Sequence, residues 1–268
     1  MLRRLILSAC LVLGATGAQA QSTGLQRLDT GDDSRAWEAV GRLDIGGNAF
    51  CTGALIAPDL VLTAAHCMFD KQSGARVDPG EIEFLAGWRN GRASAYRWIR
   101  RAVIHPDYVY DGTVGPDRVR NDVALLELHH PINNTRIQPF QTDQRPRKGQ
   151  QIGVVSYARG RSEAPSLQQV CNVLARQQGV LVTSCDVDFG SSGAPIFAFG
   201  PDGPRVVSVI SAMAEVEGQK VSLGTQLEVP LEILQAMLEA GQGVFQAAAP
   251  KMTASGTRRD TGAKFAKP

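Results

Sequence analysis

The feature that most limits the fold is a succession of short apolar runs broken by turn residues. They fall at residues 38–45, 50–56, 60–65, 82–87, 97–104, 123–128, 151–157, 179–184, 195–199, 205–213 and 221–229. Each is rich in Val, Ile, Leu and Phe and is bounded by Gly, Pro, Asp or Asn. That regular spacing predicts an all-β barrel or sandwich rather than βαβ units. One helix is expected near the end, with Pro230 at its first position, Ile233, Leu234, Met237 and Leu238 on one face, and Gly241 as its stop. The polar stretch 142–149 is the expected internal boundary and divides the body into halves of roughly a hundred residues.

Charge separates the body from the two ends. The chain has 268 residues, 28 basic and 26 acidic side chains, and a formal charge of +2. Arg3 and Arg4 lie in the first 20 residues, and Lys251, Arg258, Arg259, Lys264 and Lys267 lie in the last eighteen beside Asp260. Residues 21–250 are therefore slightly acidic, and no nucleic-acid partner is expected. Residues 1–20 read as a secretory signal: a positive start, an apolar run from Leu5 to Leu13, and Ala18-Gln19-Ala20 as the cleavage pattern. Cleavage after Ala20 predicts a secreted or periplasmic protein. Leu7-Ser8-Ala9-Cys10 is an alternative, a lipoprotein cleavage box. No later run reaches the roughly 18 apolar residues of a spanning helix, so no stable membrane insertion is expected. An N-terminal segment, 21–36, precedes the body, and the basic tail 244–268 lacks an apolar period and is expected to be disordered.

Removing the leader removes Cys10 and leaves Cys51, Cys67, Cys171 and Cys185. Four cysteines in an oxidising compartment allow three pairings. The local pairing closes two loops of about fifteen residues, worth roughly 3 kcal/mol each in the chain-entropy account. None of the four has a second Cys at the short spacing of a zinc site, so no metal and no cofactor are expected.

Three short segments carry the chemistry: Thr63-Ala64-Ala65-His66-Cys67, Asn121-Asp122-Val123-Ala124, and Gly190-Ser191-Ser192-Gly193-Ala194-Pro195. A hydroxyl nucleophile needs an imidazole to take its proton, and the imidazole needs a carboxylate to fix its tautomer. The order His66, Asp122, Ser192 then discriminates among folds. None of the histidines (His66, His105, His129, His130) follows Ser192, which excludes the α/β-hydrolase order. The Asp segment follows His66, which excludes the subtilisin order.

These segments, with Cys51-Thr52-Gly53-Ala54-Leu55-Ile56 and His105-Pro106-Asp107-Tyr108, resemble the trypsin/chymotrypsin-like serine endopeptidases over about residues 37–243. The chain is more similar to the compact bacterial glutamyl-endopeptidase (V8-like) branch. The resemblance implies two six-stranded antiparallel β-barrels, 37–141 and 142–243, the second carrying the C-terminal helix, with the active site between them. It implies that Ser192 attacks the scissile carbonyl to form an acyl-enzyme, that His66 relays the proton, and that Asp122 orients His66. The backbone N–H groups of Gly190 and Ser192 would form the oxyanion hole, and Cys51–Cys67 would be the bridge beside the histidine. The expected partners are polypeptide substrates of a monomeric enzyme.

Two departures from the pattern matter. Vertebrate digestive enzymes have an Asp just before the nucleophile, paired with a freshly cut N-terminal amine. Here Ser191 holds that position, and no Ile-Val-Gly-Gly start precedes Cys51, so a charge switch of that kind is not expected. The specificity pocket is the second. Spacing from Ser192 puts Asp186 at its floor and Ser211 and Met213 along its edge, and Ile210 stands where the Glu-preferring branch has a histidine. Glu preference is therefore unsupported, and basic or small apolar preferences remain open. Two further readings are a catalytically silent protease fold used as a binding module, and an esterase with the same triad.

Overall fold

The computed structural model describes residues 24–111, 113–143 and 146–248. The expected signal at 1–20 lies outside the described residues, as does the tail from 249 onward. Fourteen strands are present: β1 Leu25–Arg27, β2 Val40–Ile45, β3 Ala49–Ala57, β4 Leu60–Thr63, β5 Ile82–Ala86, β6 Ala95–Ile104, β7 Ala124–Leu128, β8 Gln151–Ala158, β9 Arg161–Gln177, β10 Val180–Thr183, β11 Pro195–Gly200, β12 Gly203–Val216, β13 Gln219–Gln226 and β14 Phe245–Gln246. The helices are α1 Gly31–Ser34, α2 Pro116–Asn121 and α3 Glu228–Ala240.

Two antiparallel sheets each close on themselves. In one, β6-β5-β2-β3-β4-β7 forms a six-stranded ring because β7 pairs back onto β6; in the other, β9-β10-β13-β12-β11-β8 closes where β8 meets β9. Closure removes the free edges that an open sheet would expose. The second barrel packs Ile152, Val154, Val173, Leu181, Ile196 and Ile210 inside. The first barrel's core runs on into the second, where Trp37 and Phe140 meet Phe197 at ring-centroid distances of 5.0 and 4.8 Å. The barrels therefore share an apolar seam, and relative sliding would expose it to water.

The ends of the chain are exchanged between the barrels. β1 pairs with Ser166–Gln168 of β9, on the edge that β10 leaves uncovered, before the chain enters the first barrel. At the other end, α3 packs against β6 and β7, and β14 pairs with Arg101 and Ala102 of β6. The expected helix thus follows the second barrel in sequence and lies on the first in space. Its buried stripe of Leu231, Leu234 and Leu238 finds its apolar partner there. Pro230 falls in the first turn, which starts at Glu228, and Gly241 caps the end at φ 68° in the left-handed region open to glycine. The expected disordered tail is corrected at its start: residues 244–248 are ordered, with β14, Ala247 bonded to Arg100 O, and the Ala248 N–H donating to the Asp78 carboxylate.

Both local disulfides are present, Cys51–Cys67 and Cys171–Cys185. Thr52, next to the first of them and fully buried, joins the barrels. Its hydroxyl donates to Gly190 O at 2.9 Å and accepts the Tyr157 N–H at 3.1 Å, while its own N–H donates to Ser192 O at 2.9 Å. Thr52→Val keeps the shape but leaves the buried Tyr157 N–H and Gly190 O without this partner. We expect it to lower the unfolding free energy by about 1–3 kcal/mol, read from urea melts beside Thr52→Ser. An unchanged midpoint would show that the clamp carries no stability.

Candidate active site

His66 sits in a single 3-10 turn, Ala65–Met68, directly after β4. The turn is pinned through Cys67 to Cys51 on neighbouring β3, so the imidazole is aimed from a rigid corner. Asp122 caps the C-terminus of α2 and precedes β7, and its side chain is 1% exposed. Thr225 of β13 holds this junction by donating its hydroxyl to Val119 O at 2.6 Å and Asp122 O at 3.1 Å. On its other side, His105 donates its N–H to Val123 O, and Asn121 donates to Asp107 O.

The Asp122 carboxylate receives three hydrogen bonds. The His66 backbone N–H donates to Oδ1 at 2.8 Å, His66 Nδ1 lies 2.7 Å from Oδ2, and the Ser211 hydroxyl donates to Oδ2 at 2.5 Å. An ionised carboxylate accepts only, so the contact at Nδ1 puts the proton of a neutral imidazole on that nitrogen and leaves the Nε2 lone pair free to accept. Ser211 reaches Asp122 because β12 bulges there: Ile210 pairs with Gly224 and Ala212 with Leu223, leaving Ser211 without an opposite residue.

Ser192 lies half-buried in the turn before β11, held from both barrels. Its carbonyl accepts from Thr52, and the next N–H, that of Gly193, donates to Ile210 O at 2.7 Å. Gly193 has φ 75°, and a Cβ there would collide with Thr63 Oγ1 and Thr52 O; only glycine lets this turn press against the strand that delivers His66. Gly190 has φ 97° and lies with its bare Cα over the Phe50 ring. Among the described residues, neither the Gly190 nor the Ser192 N–H has a protein acceptor, whereas the Ser191 N–H between them donates to Asp188 O. The Ser192 hydroxyl likewise makes no hydrogen bond among the described residues.

His66 and Gly190 line one groove of about 1380 Å³, together with the Cys51–Cys67 bridge, Phe50 and Phe189. Lys71 and Arg159 stack on the exposed Phe189 ring, 5.8 and 4.7 Å from its centroid. Ligand-type atoms of Cys51, His66 and Cys67 lie within 4.8 Å of one another, but the two sulfurs are bonded to each other and offer no thiolate to a metal.

The residues expected around the specificity pocket divide. Ser211 is buried against Asp122, and Met213 is 43% exposed farther along β12. Asp186 is exposed instead of enclosed. Thr183 and Cys185 turn inward and Ser184 and Asp186 outward, so the disulfide that buries Cys185 presents the next carboxylate to solvent. Sequence reasoning did not find Thr52 or Arg161. The signal for Thr52 is a hydroxyl in an otherwise apolar strand; Arg161 has only its position three residues past the end of β8.

Comparison with known proteins agrees with this geometry. The trypsin family matches residues 30–225. Kallikrein 1-related peptidase b27 of Mus musculus is 30% identical over 182 residues, 65% of this chain and 66% of that protein. Serine protease 56 of Mus musculus is 33% identical over 100 residues, 37% of this chain and 15% of that protein. The chain spans between 15% and 66% of the length of such curated relatives. Among solved structures, a Glu endopeptidase in complex with MPD shares the fold at a TM-score of 0.66 and 18% identity, over 82% of this chain and 98% of that one. With its two closed barrels and a match over most of its length, the chain belongs to the trypsin family.

Proposed function

We propose that this chain is an exported serine endopeptidase in which His66, Asp122 and Ser192 form the catalytic triad. The observation that carries the reading is the buried Asp122 carboxylate held on His66 Nδ1 at 2.7 Å, with Ser211 as its third donor. In the reaction, Ser192 Oγ bonds to the scissile carbonyl carbon and its proton passes to His66 Nε2. The carbonyl oxygen becomes an oxyanion, which accepts from the Gly190 and Ser192 N–H groups, neither of which has a protein acceptor among the described residues. The intermediate collapses, the C–N bond breaks, and His66 gives its proton to the leaving amine. Water then repeats the sequence on the acyl-enzyme and restores the Ser192 hydroxyl.

Polypeptides are the proposed substrates, taken by a monomer in the groove between the barrels. Ser211 and Met213 border the side that receives the residue before the scissile bond. Export after Ala20 fits the two disulfides, which persist outside a reducing cytoplasm. A silent binding module is less well supported, because all three triad residues are retained and a buried carboxylate is spent on orienting an imidazole.

A fluorophosphonate probe should label the folded protein at Ser192, and Ser192→Ala should lose both labelling and peptide turnover. Folded wild-type protein that resists the probe would overturn the reading in favour of the binding module. Asp122→Asn presents the wrong hydrogen-bonding groups to Nδ1 and should lower kcat by on the order of 10⁴. An unaltered kcat in that variant would show that another group orients His66.

A further inference from the structure

Ser191 lies between Gly190 and Ser192, whose N–H groups have no protein acceptor among the described residues, and its side chain points into the second barrel. There it enters a small closed polar cluster. The Ser191 hydroxyl donates to Ser156 Oγ at 3.2 Å or Tyr157 O at 3.4 Å and accepts the Asp188 N–H at 3.3 Å. Ser156 and Ser191 are both fully buried. Among the described residues, one cation reaches this cluster. Arg161, the first residue of β9, donates through Nη1 to Ser156 O at 2.8 Å and Ser156 Oγ at 3.1 Å, and through Nη2 to Ser191 Oγ at 3.4 Å. Burial draws the guanidinium below its ordinary range, and the neighbouring carboxylates of Asp186 and Asp188 oppose that by favouring its charged form. The first described strand, Leu25–Arg27, is paired with β9.

We propose that Arg161 is a positioning residue for the oxyanion-binding turn: its guanidinium, anchored on strand β8 through Ser156, holds the Asp188–Ser191 segment so that the Gly190 and Ser192 N–H groups converge. The inference rests on the protease reading and deepens it. It supplies an internal cation under the turn where Ser191 stands in place of an Asp before the nucleophile. A forked, permanently charged donor suits this place, because one group reaches the strand and the turn at once.

The test compares wild type with Arg161→Met, Arg161→Lys and Ser191→Ala on an amide substrate, with folding followed by thermal melts. In folded Arg161→Met, kcat should fall by about 10- to 100-fold, less than the 10²–10³ typical of deleting an oxyanion donor, because the donors remain but are misaimed. KM should stay within about threefold, the pattern of an interaction made in the transition state. Binding of a peptide aldehyde, whose adduct with Ser192 carries the oxyanion, should weaken in step with kcat. Arg161→Lys should fall between wild type and Arg161→Met. Arg161→Met combined with Ser191→Ala should lose less than the product of the two single effects. A folded Arg161→Met enzyme with kcat within about twofold of wild type overturns the proposal, as does a change confined to KM. Should Arg161→Met not fold, unchanged kcat in both Arg161→Lys and Ser191→Ala overturns it equally. Wild-type protein that neither turns over substrate nor takes the fluorophosphonate removes the protease reading itself, and this inference with it.

Discussion

A carboxylate that is 1% exposed is the constraint around which the molecule is arranged. Taking such a charge out of water costs several kcal/mol unless donors replace the lost hydration. Asp122 finds its replacements on two elements far apart in sequence: the turn after β4 gives a backbone N–H and an imidazole nitrogen, and the bulge of β12 gives a hydroxyl. The first two come from one barrel and the third from the other. The charge is therefore satisfied only when the barrels sit at one relative position, and the same position aims Nε2 of His66 into the cleft.

Secondary restraints hold that arrangement. Thr52 reaches across to Gly190, Tyr157 and Ser192, and the Cys51–Cys67 bridge joins the same strand to the histidine turn. The turn bearing Ser192 is thus referenced to β3, and so is His66. Gly193 makes the close approach feasible by leaving room for Thr63 and Thr52. The turn bearing Ser192 is fixed by backbone contacts on both flanks, while its Gly190 and Ser192 N–H groups have no protein acceptor among the described residues.

Much of this was legible in the sequence, because the triad candidates lie in short segments whose composition reflects local needs: small residues around the turns, apolar runs before them. The all-β class followed from the same runs, and most strands fall within a residue or two of the expected places. β9 escaped notice because Arg161–Gln177 is rich in Arg, Gln and Ser and holds Pro165, so its outward face hides an alternation that tertiary pairing enforces. Thr52, Arg161 and the inward turn of Ser191 were hidden for another reason. Their partners lie up to 138 residues away, and no local pattern encodes a contact of that range. The pocket place expected of Asp186 rests on counting from Ser192, and such spacing does not register that the chain around Cys185 faces Asp186 outward.

The exchange of chain ends has a mechanical side. β1 is laid on the far barrel before the near one is built, and α3 with β14 returns to the near barrel after the far one is complete. Among the described residues, the polypeptide thus passes from one barrel to the other between β1 and β2, between β7 and β8, and between β13 and α3. A load that tries to pry the cleft open meets one covalent link between the barrels and two chain ends, each held on the opposite barrel by strand pairing or helix packing.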